Sequence, residues 1–278
     1  MKLNANLSVN KRKNHVLKRL FSILRVNSYY IKMNEYKIFD FLKSSDQSRI
    51  LLIILNQKLN MEILSNLWNK AVFKVSCDGA SNYLYDSQSL EGFKECFLNP
   101  DVLCGDFDSI RDCVKDYFQR KNCIVKSLDD QNDTDFTKGT LFGIQCCHEK
   151  NIQYDLIVAY PAIGGRSDHT FSSINTLYLV DDKKTLYIMS DTDIMCLLKP
   201  GKNLIKKHSD HQKAMCGLIP IGCPISHVTS TGLKYNINDA CLSFGGLVST
   251  SNSLDEENEY VMVITSHKLL FTVTHKKD

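Results

Sequence analysis

The hexapeptide "GDFDSI" at 105–110 sets Asp106 and Asp108 either side of Phe107, directly after an apolar run. On extended chain that spacing projects both carboxylates to one side, about 7 Å apart. Like charges held so close repel and raise one another's pKa. The pair is not isolated. "CDGASN" (77–82) supplies Asp78 and Asn82, "DDQNDTDFTK" (129–138) supplies Gln131, Thr134, Asp135 and Lys138, and "GGRSDH" (164–169) supplies Arg166 and Asp168. A helix N-cap explains any one of these acids, and Asp133 or Thr134 suits a helix from 136. It does not explain Asp106, Asp108, Asp135 and Asp168 together. A divalent cation does, and an oxygen-only set with room for water and phosphate suits Mg²⁺. Lys138, Arg166 and Gln131 add partners for phosphate oxygens, which completes the inventory of a phosphoryl-transfer site. The glycines of "IGGR" (163–166) let backbone amides approach an anion. No GxxxxGK[ST] occurs, so any nucleotide is held without a P-loop.

The elements that must carry these motifs are legible as alternating runs. "ILLIIL" (50–55), "FKVSC" (73–77), "DVLCG" (101–105), "CIVKSL" (123–128), "DLIVAYPA" (155–162) and "KTLYIMS" (184–190) read as strands, several apolar on both faces. Segments 61–70, 111–120, 136–148 and 169–180 carry helical spacing. Alternating strands and helices predict a parallel sheet flanked by helices. Ligands of such sheets bind beyond the carboxyl ends of the strands, where all four acidic motifs fall. After residue 192 the chain turns to short β-type runs broken by Gly, Pro, Asn and Asp, which predicts an all-β sandwich. The expected division is a basic extension over 1–49, an α/β domain over 50–191 and a β-sandwich domain over 192–278.

Composition sets the limits. With 278 residues, 43% of them hydrophobic and 23% charged, the chain reads as a soluble globular protein, and no apolar run approaches a membrane span. The net charge is +3, yet residues 1–34 hold eight Lys or Arg and no acid, so the rest carries −5. A mildly acidic body argues against a nucleic-acid-binding domain. The basic segment, with its amphipathic "HVLKRLFSILRV" (15–26), fits a mitochondrial presequence, a disordered tail, or an upstream start codon with Met33 as the working one. Eleven cysteines without CxxC spacing point to a reduced, intracellular, cytoplasmic setting rather than a zinc or disulfide framework.

In their order and spacing the four motifs resemble the thiamin pyrophosphokinase family. The resemblance starts at "LLIILNQ" (51–57) and runs through "LWNKA" (67–71), "DGASN", "LYD" (84–86), "GDFDSI", "DQNDTDFTK" and "GGRSDH". It continues through "LKPGK" (198–202), "CGLIPIG" (216–222), "TSTGLKYNI" (229–237) and "FGGLVSTSN" (244–252), covering roughly 50–275. It implies an α/β domain followed by a β-sandwich, a homodimer with active sites between subunits, and transfer of the diphosphate of ATP to thiamin with Mg²⁺, giving thiamin diphosphate and AMP. Carried across by motif, Asp106, Asp108 and Asp135 become the metal carboxylates. Asp168 binds or deprotonates the thiamin hydroxyl, with a metal role equally open. Gln131, Thr134, Lys138 and Arg166 grip the triphosphate, Asp78 and Asn82 shape the floor of the site, and Tyr235, Ser251 and Asn252 meet thiamin.

Two departures stand out: the family's usual "LKWN" is "LKYN" here, so Tyr235 replaces a tryptophan that stacks better on a cationic ring, and in "DGASN" Ser81 replaces a small residue, adding a hydroxyl. His208 and His211 in "HSDH" read as a solvated loop, Trp68 as a helix residue packed on the sheet, and "LDEEN" (254–258) as an exposed turn. Paired aspartates also serve Mg²⁺-dependent phosphatases, and a non-catalytic thiamin or nucleotide binder is a third class. The intact set of acidic motifs speaks against the binder.

Overall fold

The computed structural model describes residues 33–88, 99–130, 132–180, 184–211 and 213–276. Its centre is β2 (Ile50–Ile54), whose five residues are all buried, beside the equally buried β6 (Leu156–Tyr160). Strands covered on both faces need no polar alternation, which is why both read as continuous apolar runs. Odd and even residues serve different faces. Ile50, Leu52 and Ile54 enter one core with Leu64 and Leu67 of α1 (Met61–Lys70), Leu84 of α2 (Ala80–Ser87) and Phe118 of α3 (Asp112–Arg120). Leu51 and Ile53 enter the other with Phe136 of α4 (Asp135–Glu149) and Ile174 of α5 (Ser167–Leu179).

With β3 (Ala71–Cys77), β4 (Val102–Gly105), β5 (Ile124–Ser127) and β7 (Leu186–Met189), these strands run parallel in the order β7-β6-β2-β3-β4-β5. From β2 the chain proceeds through α1 to β3 on one side, and from β6 through α5 to β7 on the other. A crevice therefore opens between the carboxyl ends of β2 and β6, where such sheets take their ligands. The α/β part followed by a β-rich part matches the fold expected. Helix α2 was not expected, because "DGASN" reads as a strand-end loop.

The boundary at 192 is crossed by hydrogen bonds. β7 pairs antiparallel with β8 (Asp193–Leu198), and the same sheet continues through β15 (Leu269–Thr274) and β10 (Met215–Ile219) to β13 (Ser249–Ser253). A second sheet, ordered β1-β9-β14-β11-β12, packs on this antiparallel half. Its members are β1 (Met33–Tyr36), β9 (Gly201–Lys206), β14 (Tyr260–Thr265), β11 (Ile225–Thr231) and β12 (Ala240–Leu242). β8 and β14 alternate buried with half-buried residues, as sandwich strands should. Residues 33–278 form one compact unit.

Residues from Met33 on, drawn as part of the 1–49 extension, take part in the fold. β1 pairs parallel with β9 from Met33↔Lys202 to Tyr36↔Ile205, and Ile38, Phe39 and Phe41 are buried. Lys70 Nζ donates to the carbonyls of Phe41 (2.7 Å) and Lys43, tying this segment to α1. Four apolar side chains within "YKIFDF" (36–41) outweigh the basic character just before them. The presequence question itself concerns 1–32, outside the described residues. Among the described residues no helix is long and apolar enough to cross a membrane.

Candidate active site

The carboxyl edge of the parallel sheet opens into a cleft of about 400 Å³. It is lined by Asn56 and Gln57 after β2, Cys77 and Asp78 at the end of β3, Asp106, Asp108 and Ser109 after β4, and Asp133 to Phe136 with Lys138 on α4. Arg166, His169, Ser172 and Ser173 close it from α5. Both α4 and α5 start at the cleft, so their unpaired N–H ends favour an anion there.

Asp78 is the buried member of the set, at 3% exposure. It sits in the left-handed region (φ 44°), and its carboxylate accepts from the N–H of Ser109 (3.2 Å) and of Ile110 (3.3 Å). Burial raises its pKa against the pull of the Gly79 N–H and the Ser109 hydroxyl, and neighbouring Asp135 and Asp108 raise it further. Gly105 makes this approach possible. At φ 150°, a Cβ there would lie 2.8 Å from that of Asp78.

Among the described residues, the carboxylates that converge are Asp78, Asp106 and Asp135, with one oxygen from each lying within 4.8 Å of the others. Asp108 is not in that trio. The extended-chain spacing does not hold beyond β4, because Phe107 takes φ 66° and Asp108 N–H donates to Asp106 Oδ1 (3.3 Å). Asp108 then accepts from Ser109 Oγ (2.7 Å), while Phe107 packs on the core beneath. Asp135 Oδ1 is buried without an aligned hydrogen bond, although Lys138 Nζ lies 3.1 Å away. A buried carboxylate oxygen that has an ion pair but no aligned hydrogen bond, set among other oxygen donors, fits a hard divalent cation.

Several expected contacts have other employment. The ammonium of Lys138 donates to the carbonyls of Leu128 (2.7 Å) and Asp130 (3.0 Å) besides facing Asp135. Two backbone carbonyls and one ion pair engage the ammonium, which clamps the 128–130 loop against α4. Asn82 binds Ser109 O (2.9 Å) and accepts from Arg111 N–H (3.1 Å), which stitches α2 to the acidic loop. Thr134 caps α4 by accepting from Thr137 N–H (3.4 Å). Arg166 forks onto Asp168 (3.1 and 2.5 Å) at the cleft mouth. That pairing holds the Asp168 carboxyl below the usual carboxylate range. Gln131 lies outside the described residues.

Tyr235, Ser251 and Asn252 sit in the β-rich part and do not line this cleft. Tyr235 is 61% exposed. Asn252, buried, accepts from Tyr235 N–H (3.0 Å) and donates to Tyr235 O (2.8 Å). It therefore supports the "LKYN" turn from below. Ser251 is exposed in the left-handed region (φ 55°). His211 is not part of a solvated loop, since its ring stacks on Phe39 at 4.2 Å. Sequence reasoning passed over Asn56, Gln57, His169, Ser172 and Ser173 as site residues. The available signals were the first polar residues after an all-buried strand and the i, i+3, i+4 spacing of one helical face.

An open α/β sheet with acids, an arginine and two helix N-termini gathered at one carboxyl edge, and no P-loop, defines a phosphoryl-transfer enzyme. Residues 64–189 match the family model "Thiamin pyrophosphokinase, catalytic domain", and 202–270 match "Thiamin pyrophosphokinase, vitamin B1 binding domain". The chain is 34% identical to thiamine pyrophosphokinase 3 of Oryza sativa subsp. japonica, over 80% of this chain and 86% of that one. It is 34% identical to thiamin pyrophosphokinase 1 of Caenorhabditis elegans, over 75% and 81%. The solved thiamin pyrophosphokinase of Candida albicans superposes with a TM-score of 0.76 at 29% identity, over 88% of this chain and 93% of that one. The chain belongs to the thiamin pyrophosphokinase family.

Proposed function

We propose that this chain transfers the diphosphate of ATP to the hydroxyl of thiamin, giving thiamin diphosphate and AMP. The observation that carries the reading is the convergence of Asp78, Asp106 and Asp135 in the cleft along the carboxyl edge that Arg166 also lines. The trio would hold Mg²⁺, which when bound neutralises charge on the phosphate oxygens. This set replaces the Asp106, Asp108, Asp135 set expected from motifs, with Asp78 moving from floor to ligand. Asp108 remains at the rim, its charge facing the cleft.

The chain's own groups orient and neutralise. Arg166 and the N-terminus of α5 face a polyphosphate from one side, and Thr134 with the start of α4 from the other. Because AMP leaves, attack falls on the β-phosphorus, so the thiamin hydroxyl must be aligned opposite the α–β bridging oxygen. Such transfer needs positioning and charge compensation more than covalent work by side chains.

Thiamin binding involves Tyr235, held out by the Asn252-supported turn, with Ser251 beside it. Exposed Tyr235, Phe244 and Leu247 support a homodimer in which a second copy covers this face and the ring reaches a site between subunits. The free thiols among the described residues suit a reducing, cytoplasmic compartment. Incubation with ATP, Mg²⁺ and thiamin is expected to yield thiamin diphosphate with one AMP per product. ADP or free phosphate as the nucleotide-side product points instead to a kinase of another type or a phosphatase, and rejects the reading.

A further inference from the structure

Asn56 and Gln57 follow the fully buried β2 and stand at the crevice where strand order reverses. Both line the cleft with the acidic trio and Arg166. Among the described residues, neither side-chain amide has a hydrogen-bond partner. Asn56 packs closely on Gly79, which leaves it room, and Gln57 lies alongside Gly164 and Gly165. A Cβ on Gly79 would come 2.5 Å from Asn56 Nδ2, and Cβ atoms on Gly164 and Gly165 would lie 3.7 and 3.8 Å from Gln57 Oε1. Asn56 thus abuts the loop that carries Asp78, and Gln57 the loop that carries Arg166.

We propose that Asn56 and Gln57 bind the polyphosphate chain of the nucleotide, bridging the acidic trio and Arg166; this rests on the ATP-dependent reading above. The residue type is informative. A carboxylate at either place would repel phosphate, and an ammonium would be drawn onto the trio as Lys138 is drawn onto Asp135. A neutral amide donates to phosphate oxygens while leaving the carboxylates free for a cation. Its NH₂ groups are otherwise unused, so nothing must be broken before they bind.

Calorimetry with a non-hydrolysable ATP analogue plus Mg²⁺, and separately with AMP, tests this on the parent chain, Asn56→Ala, Gln57→Ala and Gln57→Glu. Each alanine variant is expected to weaken analogue binding about tenfold or more, the cost of one hydrogen bond to a charged group. Gln57→Glu should weaken it further by adding like charge. Affinity for AMP, which lacks the β- and γ-phosphates, should stay within about twofold of the parent, and so should the KM for thiamin, since a contact worth tenfold is absent from both. Unchanged analogue affinity in all three variants overturns the proposal, and so does an equal loss for AMP, which assigns the amides to the nucleoside end. A parent that binds the analogue with this pattern yet forms no thiamin diphosphate rejects the transfer reaction and leaves the phosphate contact standing. A parent that binds no analogue rejects the contact.

Discussion

At the scale of single residues, burial separates aspartates that look alike in sequence. Asp78, Asp106 and Asp135 meet, while Asp108 turns to Ser109 and Asp168 to Arg166. Asn substitution at any of the first three is expected to cut thiamin diphosphate formation by about a hundredfold or more, the scale of losing a group that organises transition-state charge. Asp108→Asn should cost less, and equal losses at Asp108 and Asp78 would undo the distinction. Asp78 also makes a pH prediction. Its pKa is raised above 3.8 in the folded chain, so as pH climbs from there the unfolded chain releases its proton first. Stability therefore falls with rising pH through that window, and the full cost persists above the raised value. A cation on the trio offsets that cost, so Mg²⁺ should raise the melting temperature at neutral pH, less so as pH drops through the window, and not in Asp78→Asn. Equal Mg²⁺ stabilisation of parent and variant would remove Asp78 from the ligands. In the β-rich part, Tyr235→Trp should lower the KM for thiamin a few-fold, since tryptophan is the stronger cation–π partner. An unchanged or higher value would show that the ring does not face the heterocycle.

Elements aim these residues, and their packing leaves little slack. Helix α4 lies so close on β3 that a Cβ on Gly139 would be 2.6 Å from Cys77 Sγ. Gly139→Ala, a helix-favouring change by propensity alone, is therefore expected to destabilise by about 1–3 kcal/mol through overpacking. Denaturant titration measures this, and a gain in stability would mean that α4 shifts freely. Helix α2 matters differently, because Asn82 fastens the 106–111 loop that presents Asp106. Strands 50–54 and 156–160 were legible because burial on both faces leaves continuous apolar runs. Helix α2 was not, since its first turn is spent on "DGAS", residues that read as a turn.

Across the whole molecule, the segment just past the basic run belongs to the fold. A chain starting at Ser45 lacks β1 together with Ile38, Phe39 and Phe41, each almost fully buried. Losing one buried phenylalanine typically costs about 3–5 kcal/mol, so losing the segment is expected to abolish cooperative unfolding, as followed by calorimetry. A chain starting at Met33 keeps all of these contacts and should unfold cooperatively. The ten-stranded sheet passes through the place where the chain changes from α/β to all-β, so both parts share a core. Composition marks that change of connection type, but hydrogen bonding from Ile188 to Met195 does not respect it.

By itself the sequence determined the parallel order of architecture, the carboxyl-edge location of the site and the chemical class of its residues, because these follow from periodicity and residue type. Only the tertiary structure decided which acids meet. Phe107 in a left-handed conformation rotates Asp108 away from the position that strand spacing implies, and Asp78 comes in, buried, from the end of the neighbouring strand β3. It likewise engages Lys138 and Asn252 with backbone carbonyls and places Asn56 and Gln57 in the lining of the cleft. Spacing along a chain states which groups are neighbours in sequence, whereas pairing depends on backbone torsions and on partners far away in sequence.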